Sequence, residues 1–198
     1  MDDKGLFSIS GGFQPGQRSR AIGLFWEAFK SKLELLMKPD EKALSFFDLV
    51  ADPTYAISAC LADGTLVGIA GFKTRDGAFI GGGLKELCTV YGWVGGYWRG
   101  VALSVLDRPV EPGTFLMDGI FVSDDMRGRG VGSALLAAIK KKARADGYSK
   151  IRLDVIDTNP RARALYERQG FIATCTSDLG PLRHLFRFQQ ATTMIYRI

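Results

Sequence analysis

Histidine is almost absent from this chain of 198 residues, with His184 the only one. A metal centre built on imidazoles and a Ser–His–Asp triad are therefore poorly supported, because both need histidine in a fixed partnership. Cysteine is scarce as well. Cys60, Cys88 and Cys175 are odd in number, far apart and without metal-ligand spacing. Neither a disulfide framework nor a metal site is expected of them. Buried inert thiols are the more frequent outcome, and a cysteine paired with His184 stays open as an alternative. No run of five or more basic residues occurs. The net charge of +5 thus suits an anionic ligand better than a nucleic-acid tail. Lys140-Lys141-Lys142 falls late in an expected helix and reads as a solvated face. The opening MDDKGLFSIS is acidic and has no long apolar core, so no signal peptide is expected and a reducing cytoplasm fits. A clean membrane span is also missing, since Arg99 and four glycines interrupt the uncharged stretch from Leu87 to Leu106.

Hydrophobic residues make up 46% of the chain and charged residues 24%, enough for one domain with a sizeable core. Leu6 to Ile9 is a candidate first strand. From Gln17 to Met37, Ile22, Phe25, Trp26, Phe29, Leu33 and Leu36 keep helical spacing, and a shorter helix fits Asp40 to Val50. Tyr55–Leu61 and Leu66–Lys73 flank an Asp63-Gly64 turn and read as an antiparallel hairpin. Residues 75 to 113 form an aromatic and glycine-rich excursion expected to be helical. Its Tyr91, Trp93, Tyr97 and Trp98 are read as an enlarged core, a homodimer surface or a wall of a substrate pocket.

Phe115 to Val122 is apolar apart from Asp118 and Gly119, and it reads as a strand buried on both faces. Val131, Leu135, Ala138 and Ile139 then recur at helical spacing. Between strand and helix stands Arg127-Gly128-Arg129-Gly130-Val131-Gly132. Alternate glycines let a ligand approach the backbone, and the free N–H groups of the helix start favour an anion. The two arginines can add bidentate phosphate contacts. This is a phosphate cradle, followed by a strand from Ile151 to Ile156 in a parallel crossover.

A second pattern follows. In Asn159-Pro-Arg-Ala-Arg-Ala-Leu-Tyr-Glu-Arg-Gln-Gly-Phe171, asparagine can cap a helix, proline suits its first turn and glycine suits its end. A last β run is expected from Ala191 to Ile198. The R-x-x-G-x-G loop at Arg127, Gly130 and Gly132 resembles the pyrophosphate loop of the GNAT superfamily of N-acetyltransferases. The N-x-x-A-x-x-x-Y-x-x-x-G-F segment resembles that superfamily's other hallmark, so the similarity covers Phe115 to Phe171.

The resemblance implies an α+β (α/β/α) fold: a mixed, mostly antiparallel twisted sheet with a parallel central pair and helices on both faces. It implies acetyl-CoA as co-substrate, no metal, and a small-molecule or peptide amine as acceptor, with neither nucleic acid nor membrane as partner. Carried over by position, Ile120, Phe121 and Val122 would hold pantetheine through their backbone. Arg127, Gly128, Arg129, Gly130, Val131, Gly132 and Ser133 would hold the pyrophosphate. Asn159 would contact the pantetheine arm, cap its helix, or do both. Tyr166 would sit by the thioester sulfur as general acid. Asp118 is a candidate base, because a carboxylate in an apolar strand has either a task or a local partner. Two other readings compete with this one: a non-catalytic CoA-binding module, and a dinucleotide-binding oxidoreductase. The latter lacks the third glycine of its fingerprint, since position 133 is serine.

Overall fold

The computed structural model describes residues 6–198. Seven strands form one sheet in the order β1-β2-β3-β4-β5-β7-β6. They are β1 (Phe7–Gly11), β2 (Ala56–Leu61), β3 (Leu66–Lys73), β4 (Thr114–Val122), β5 (Lys150–Ile156), β6 (Ile172–Asp178) and β7 (Gln190–Arg197). Only β4 and β5 run parallel. The other neighbours are antiparallel, so the expected mixed sheet is present. A doubly wound nucleotide fold is excluded.

Helices cover both faces. On one, α1 (Arg18–Met37), α2 (Asp40–Val50), α3 (Leu84–Ser104) and the short α6 (Arg183–Phe186) enclose an aromatic core around Phe25, Phe47, Phe79 and Phe121. On the other, α4 (Val131–Ala145) and α5 (Pro160–Arg168) pack Leu135, Ile139 and Tyr166 against Phe72, Phe115 and Ile151. The sequence periodicities match these faces: Ile151, Leu153 and Val155 are buried while Arg152 and Asp154 point the other way. Burying alternate residues of β5 is what fixes its register.

Two departures from the sequence reading matter. β4 is buried from Thr114 to Met117 and at Phe121; Asp118, Gly119, Ile120 and Val122 are half-buried. The cause is topological. β5 pairs with β4 only at Thr114–Leu116 against Lys150–Arg152, after which the two strands part company. β3 stays paired to β4, with Gly71 opposite Gly119 and Phe72 opposite Met117. Asp118 is therefore the extra residue of a β-bulge, a device that re-aims a side chain and often lies beside active sites.

The second departure is α3, which is not one straight helix. Gly92 has φ +75°, a left-handed conformation that breaks the run, and after the break Gly96 packs on the backbone of Cys88, where an added Cβ would lie 2.5 Å from its nitrogen. Tyr91 Oη donates to the Met37 carbonyl at 2.6 Å, and Arg99 Nε donates to the Leu36 carbonyl at 2.6 Å. These bonds satisfy the orphan carbonyls at the end of α1 and tie the excursion to it. Among the described residues, no helix is long and apolar enough to cross a membrane.

Candidate active site

A cavity of about 590 Å³ opens where the second half of β4, the start of α4, α5 and the middle of α1 converge. Of the residues expected to hold a cofactor, Ile120, Phe121 and Val122 line it from β4. Arg127, Gly128, Gly130, Gly132 and Ser133 line it from the cradle. Asn159 and Tyr166 line it from α5 and its cap. Arg129 does not, and Val131 turns its side chain into the core, where it packs beneath Gly68. Only the backbone of Val131 is left for a ligand.

Each wall has a local cause. No side chain caps the start of α4, so the first N–H groups of a 15-residue helix remain available. Gly128 and Gly130 have φ of +81° and +83°, and a Cβ at either would meet nothing within 4 Å. Open backbone at a helix start is what an anion needs. Arg127 is held at the mouth, where Nε donates to the Val122 carbonyl at 3.2 Å and the guanidinium pairs with Asp124 at 2.6 Å. Asn159 Oδ1 accepts from the Ala162 N–H at 3.1 Å, so it caps α5 while also lining the cavity. Beyond Leu116, the edge of β4 that faces β5 has no strand partner among the described residues and offers its backbone to an extended ligand.

Tyr166 is buried, with its ring 5.9 Å from that of Phe171. Burial pushes its phenol up to about 12, so it is a neutral donor at physiological pH. Asp118 lies outside this cavity, on the bulge. Burial pushes its carboxyl up to about 7; Lys73 opposes the rise and Asp107 adds to it. No cation lies within 4 Å of it among the described residues. Lys73 is instead bound to Asp107 at 2.8 Å, and Arg108 is paired with Asp154 at 3.5 Å. A carboxyl near neutrality without an ion-pair partner is suited to proton transfer.

Sequence reasoning missed contributors from α1 and α5. Leu24, Glu27 and Ala28 of α1 form the far wall, and Arg161 and Arg168 of α5 add cations to the mouth. Arg161, Leu165 and Arg168 stand at i, i+4 and i+7, a spacing that puts them on one helix face. That signal was present in the chain. The α1 residues carried none, because helix packing alone brings them there.

Among the described residues no group of His, Cys, Asp or Glu is placed to hold a metal ion. The donor set fits CoA: open N–H groups and arginines for phosphates, an unpaired strand edge for an amide-bearing arm, and a phenol at the inner end. Curated relatives agree in kind. Over 75 residues the chain is 35% identical to a thialysine N-epsilon-acetyltransferase of Bos taurus, covering 37% of this chain and 41% of that one. Over 63 residues it is 41% identical to an acetyltransferase of Agrobacterium fabrum, covering 32% and 43%. These matches span less than half the length of either relative. Among solved structures, a GCN5-related N-acetyltransferase from Kribbella flavida has a TM-score of 0.62 at 19% identity, covering 98% of both chains. That likeness concerns the fold. The model of the acetyltransferase (GNAT) family matches residues 21–171, and the chain belongs to that family.

Proposed function

We propose that this protein is an acetyl-CoA-dependent N-acetyltransferase acting on a primary amine by direct transfer, as one catalytic domain in a reducing cytoplasmic compartment. The observation that carries the proposal is the parting of β4 from β5 beside an uncapped, glycine-lined helix start, with Tyr166 in the same cavity. Acetyl-CoA bound there supplies an acetyl group activated as a thioester. The cradle from Gly128 to Ser133, with Arg127, Arg161 and Arg168, offsets the phosphate charge. Ile120 to Val122 orient the arm through their backbone.

The remaining work falls to two side chains. Asp118 takes the proton given up by the amine as the new N–C bond forms. Tyr166 gives its proton to the departing sulfur as the C–S bond breaks, and solvent later restores it. Each positioned group contributes about a hundred- to ten-thousandfold. Three unpaired cysteines are compatible with the compartment, and the exposed face of α3 is the candidate contact for a second copy.

Thermal melts with acetyl-CoA test the binding half, and CoA release from a panel of amines tests the transfer. Saturable stabilisation together with turnover supports the reading. Absence of stabilisation at millimolar acetyl-CoA removes it. Stabilisation without turnover of any amine would instead make the chain a CoA-binding module.

A further inference from the structure

A second cavity, of about 560 Å³, lies on the α1–α3 face of the sheet. Its walls are apolar, with Phe25 and Leu33 from α1, Phe46 from α2, and Leu87, Tyr97 and Val101 from α3. Among the described residues Asp107 is the only charged one in its lining, and it stands at the end of the excursion. A pocket of this size with a few polar groups at one end is the usual form of a small-ligand site.

Two connections join it to the donor cavity. Phe25 lines this cavity and Phe121 lines the other, and their rings meet edge to face at 5.3 Å, so one aromatic layer separates them. At the polar end, Asp107 binds Lys73 at 2.8 Å, and Lys73 is paired in register with Leu116. Asp118 lies two residues further along that strand, on the bulge. The apolar cavity therefore ends at Asp107, a carboxylate near enough to Asp118 on the bulge for its charge to be felt there.

Resting on the acetyl-transfer reading above, we infer that this cavity is the acceptor site and takes a primary amine with an apolar aryl or alkyl body, its ammonium end toward Asp107 and Asp118. The walls exclude a second class of acceptor. A polyamine or lysine-rich peptide would set further charges against Phe, Leu and Val side chains, where nothing compensates their lost hydration. The surroundings add to this discrimination, because Lys73 and Arg108 stand beside the carboxylates and the chain as a whole carries +5. Tyr97 and Val101 are lining residues that also reach solvent, so the body of the amine can extend along α3.

Gly100 makes the inference testable. It lines the cavity from α3, and a Cβ added there would lie 3.1 Å from Leu84 Cδ1 and 3.7 Å from Leu87 Cδ1. Both are flexible side-chain ends, and leucine is a better helix former than glycine. A Gly100→Leu variant should therefore fold and fill the cavity. The first measurement is calorimetric binding of phenethylamine to the protein without acetyl-CoA. Binding that weakens at least about tenfold in Gly100→Leu, while the melting shift with acetyl-CoA is unchanged, supports the site. Failure of the wild type to bind phenethylamine, or equal binding by the variant, overturns it.

The second measurement compares CoA release with phenethylamine, spermidine and a lysine-containing peptide. A preference for phenethylamine of about tenfold or more supports the assignment. A higher kcat/KM for spermidine or the peptide overturns it and leaves the acetyl-transfer reading standing. If acetyl-CoA itself does not bind, that reading fails, while the phenethylamine binding result still decides whether the cavity takes an apolar amine.

Discussion

The donor cavity and the α1–α3 cavity lie on either side of the Phe25–Phe121 contact, and they are made of different things. The first is built from backbone: a helix start without a cap, glycines with positive φ and an unpaired strand edge. The second is built from side chains, nearly all apolar. Backbone demands restrict sequence sharply, because few residues tolerate a left-handed conformation or leave an N–H open to a ligand. Apolar walls restrict it weakly, because many hydrophobic residues of similar volume fill the same space. A motif therefore marks the donor side, and none marks the acceptor side.

Breaking the chemistry between the two should give the largest effect. A Tyr166→Phe variant should lose about a hundred- to ten-thousandfold in kcat while the acetyl-CoA melting shift persists, as steady-state kinetics and thermal melts would show. Unchanged turnover would reduce Tyr166 to a packing residue of the α4–α5 core.

Asp118→Asn should also lose about a hundredfold or more in kcat, and it should become more stable. The sign follows from the pKa, which rises from 3.8 to about 7 on folding. Below the unfolded value both states are protonated and nothing is lost. As pH rises through this window the unfolded chain ionises first, so stability falls. By pH 8 the buried charge costs the fold up to about 4 kcal/mol. Denaturant melts of the variant should show a gain at pH 8 that shrinks toward pH 4. For the parent protein, kcat/KM should rise with pH through about 7 as Asp118 ionises.

The cradle is probed by Gly130→Ala. Its φ of +83° makes any side chain costly by about 1–2 kcal/mol, and the added methyl stands where a phosphate would approach. Affinity for acetyl-CoA should fall about tenfold in a titration, with phenethylamine binding unaffected.

Smaller effects sharpen the contrast on the acceptor side. Lys73→Met removes a cation that holds the Asp118 pKa down, so the acid limb of the rate profile should move to higher pH. Asp107→Asn removes an anion that pushes it up, and the limb should move to lower pH. At the periphery, Trp93 is 79% exposed, and Trp93→Ser should change stability by less than about 0.5 kcal/mol in a denaturant melt. A larger loss would mean that this residue is covered in solution by something other than water.

Legibility in the sequence followed the same division. The α2 bounds, the β2–β3 hairpin and the α5 cap were readable because helical spacing, Asp63-Gly64 and Asn159-Pro160 are local signals. The bulge at Asp118 was not, since it exists only in the register with β3. The α1 wall of the donor cavity was hidden for a related reason: Leu24 and Ala28 look like any core-facing helix residues. The kink in α3 was not foreseen, because its four glycines counted only against a membrane span and the φ of Gly92 alone locates the break.

By itself, the sequence determined where an anion could meet bare backbone, because residues adjacent along the chain set it, whereas the phenol near it was expected only from the resemblance carried by Asn159 to Phe171. Tertiary structure alone decided three other things: that β7 enters between β5 and β6, that β4 leaves β5 after Leu116, and that Asp107 comes to the end of an apolar cavity while Asp118 stands on a bulge. Those outcomes depend on strand order, register and helix packing between segments far apart in sequence. No local spacing encodes such long-range pairings.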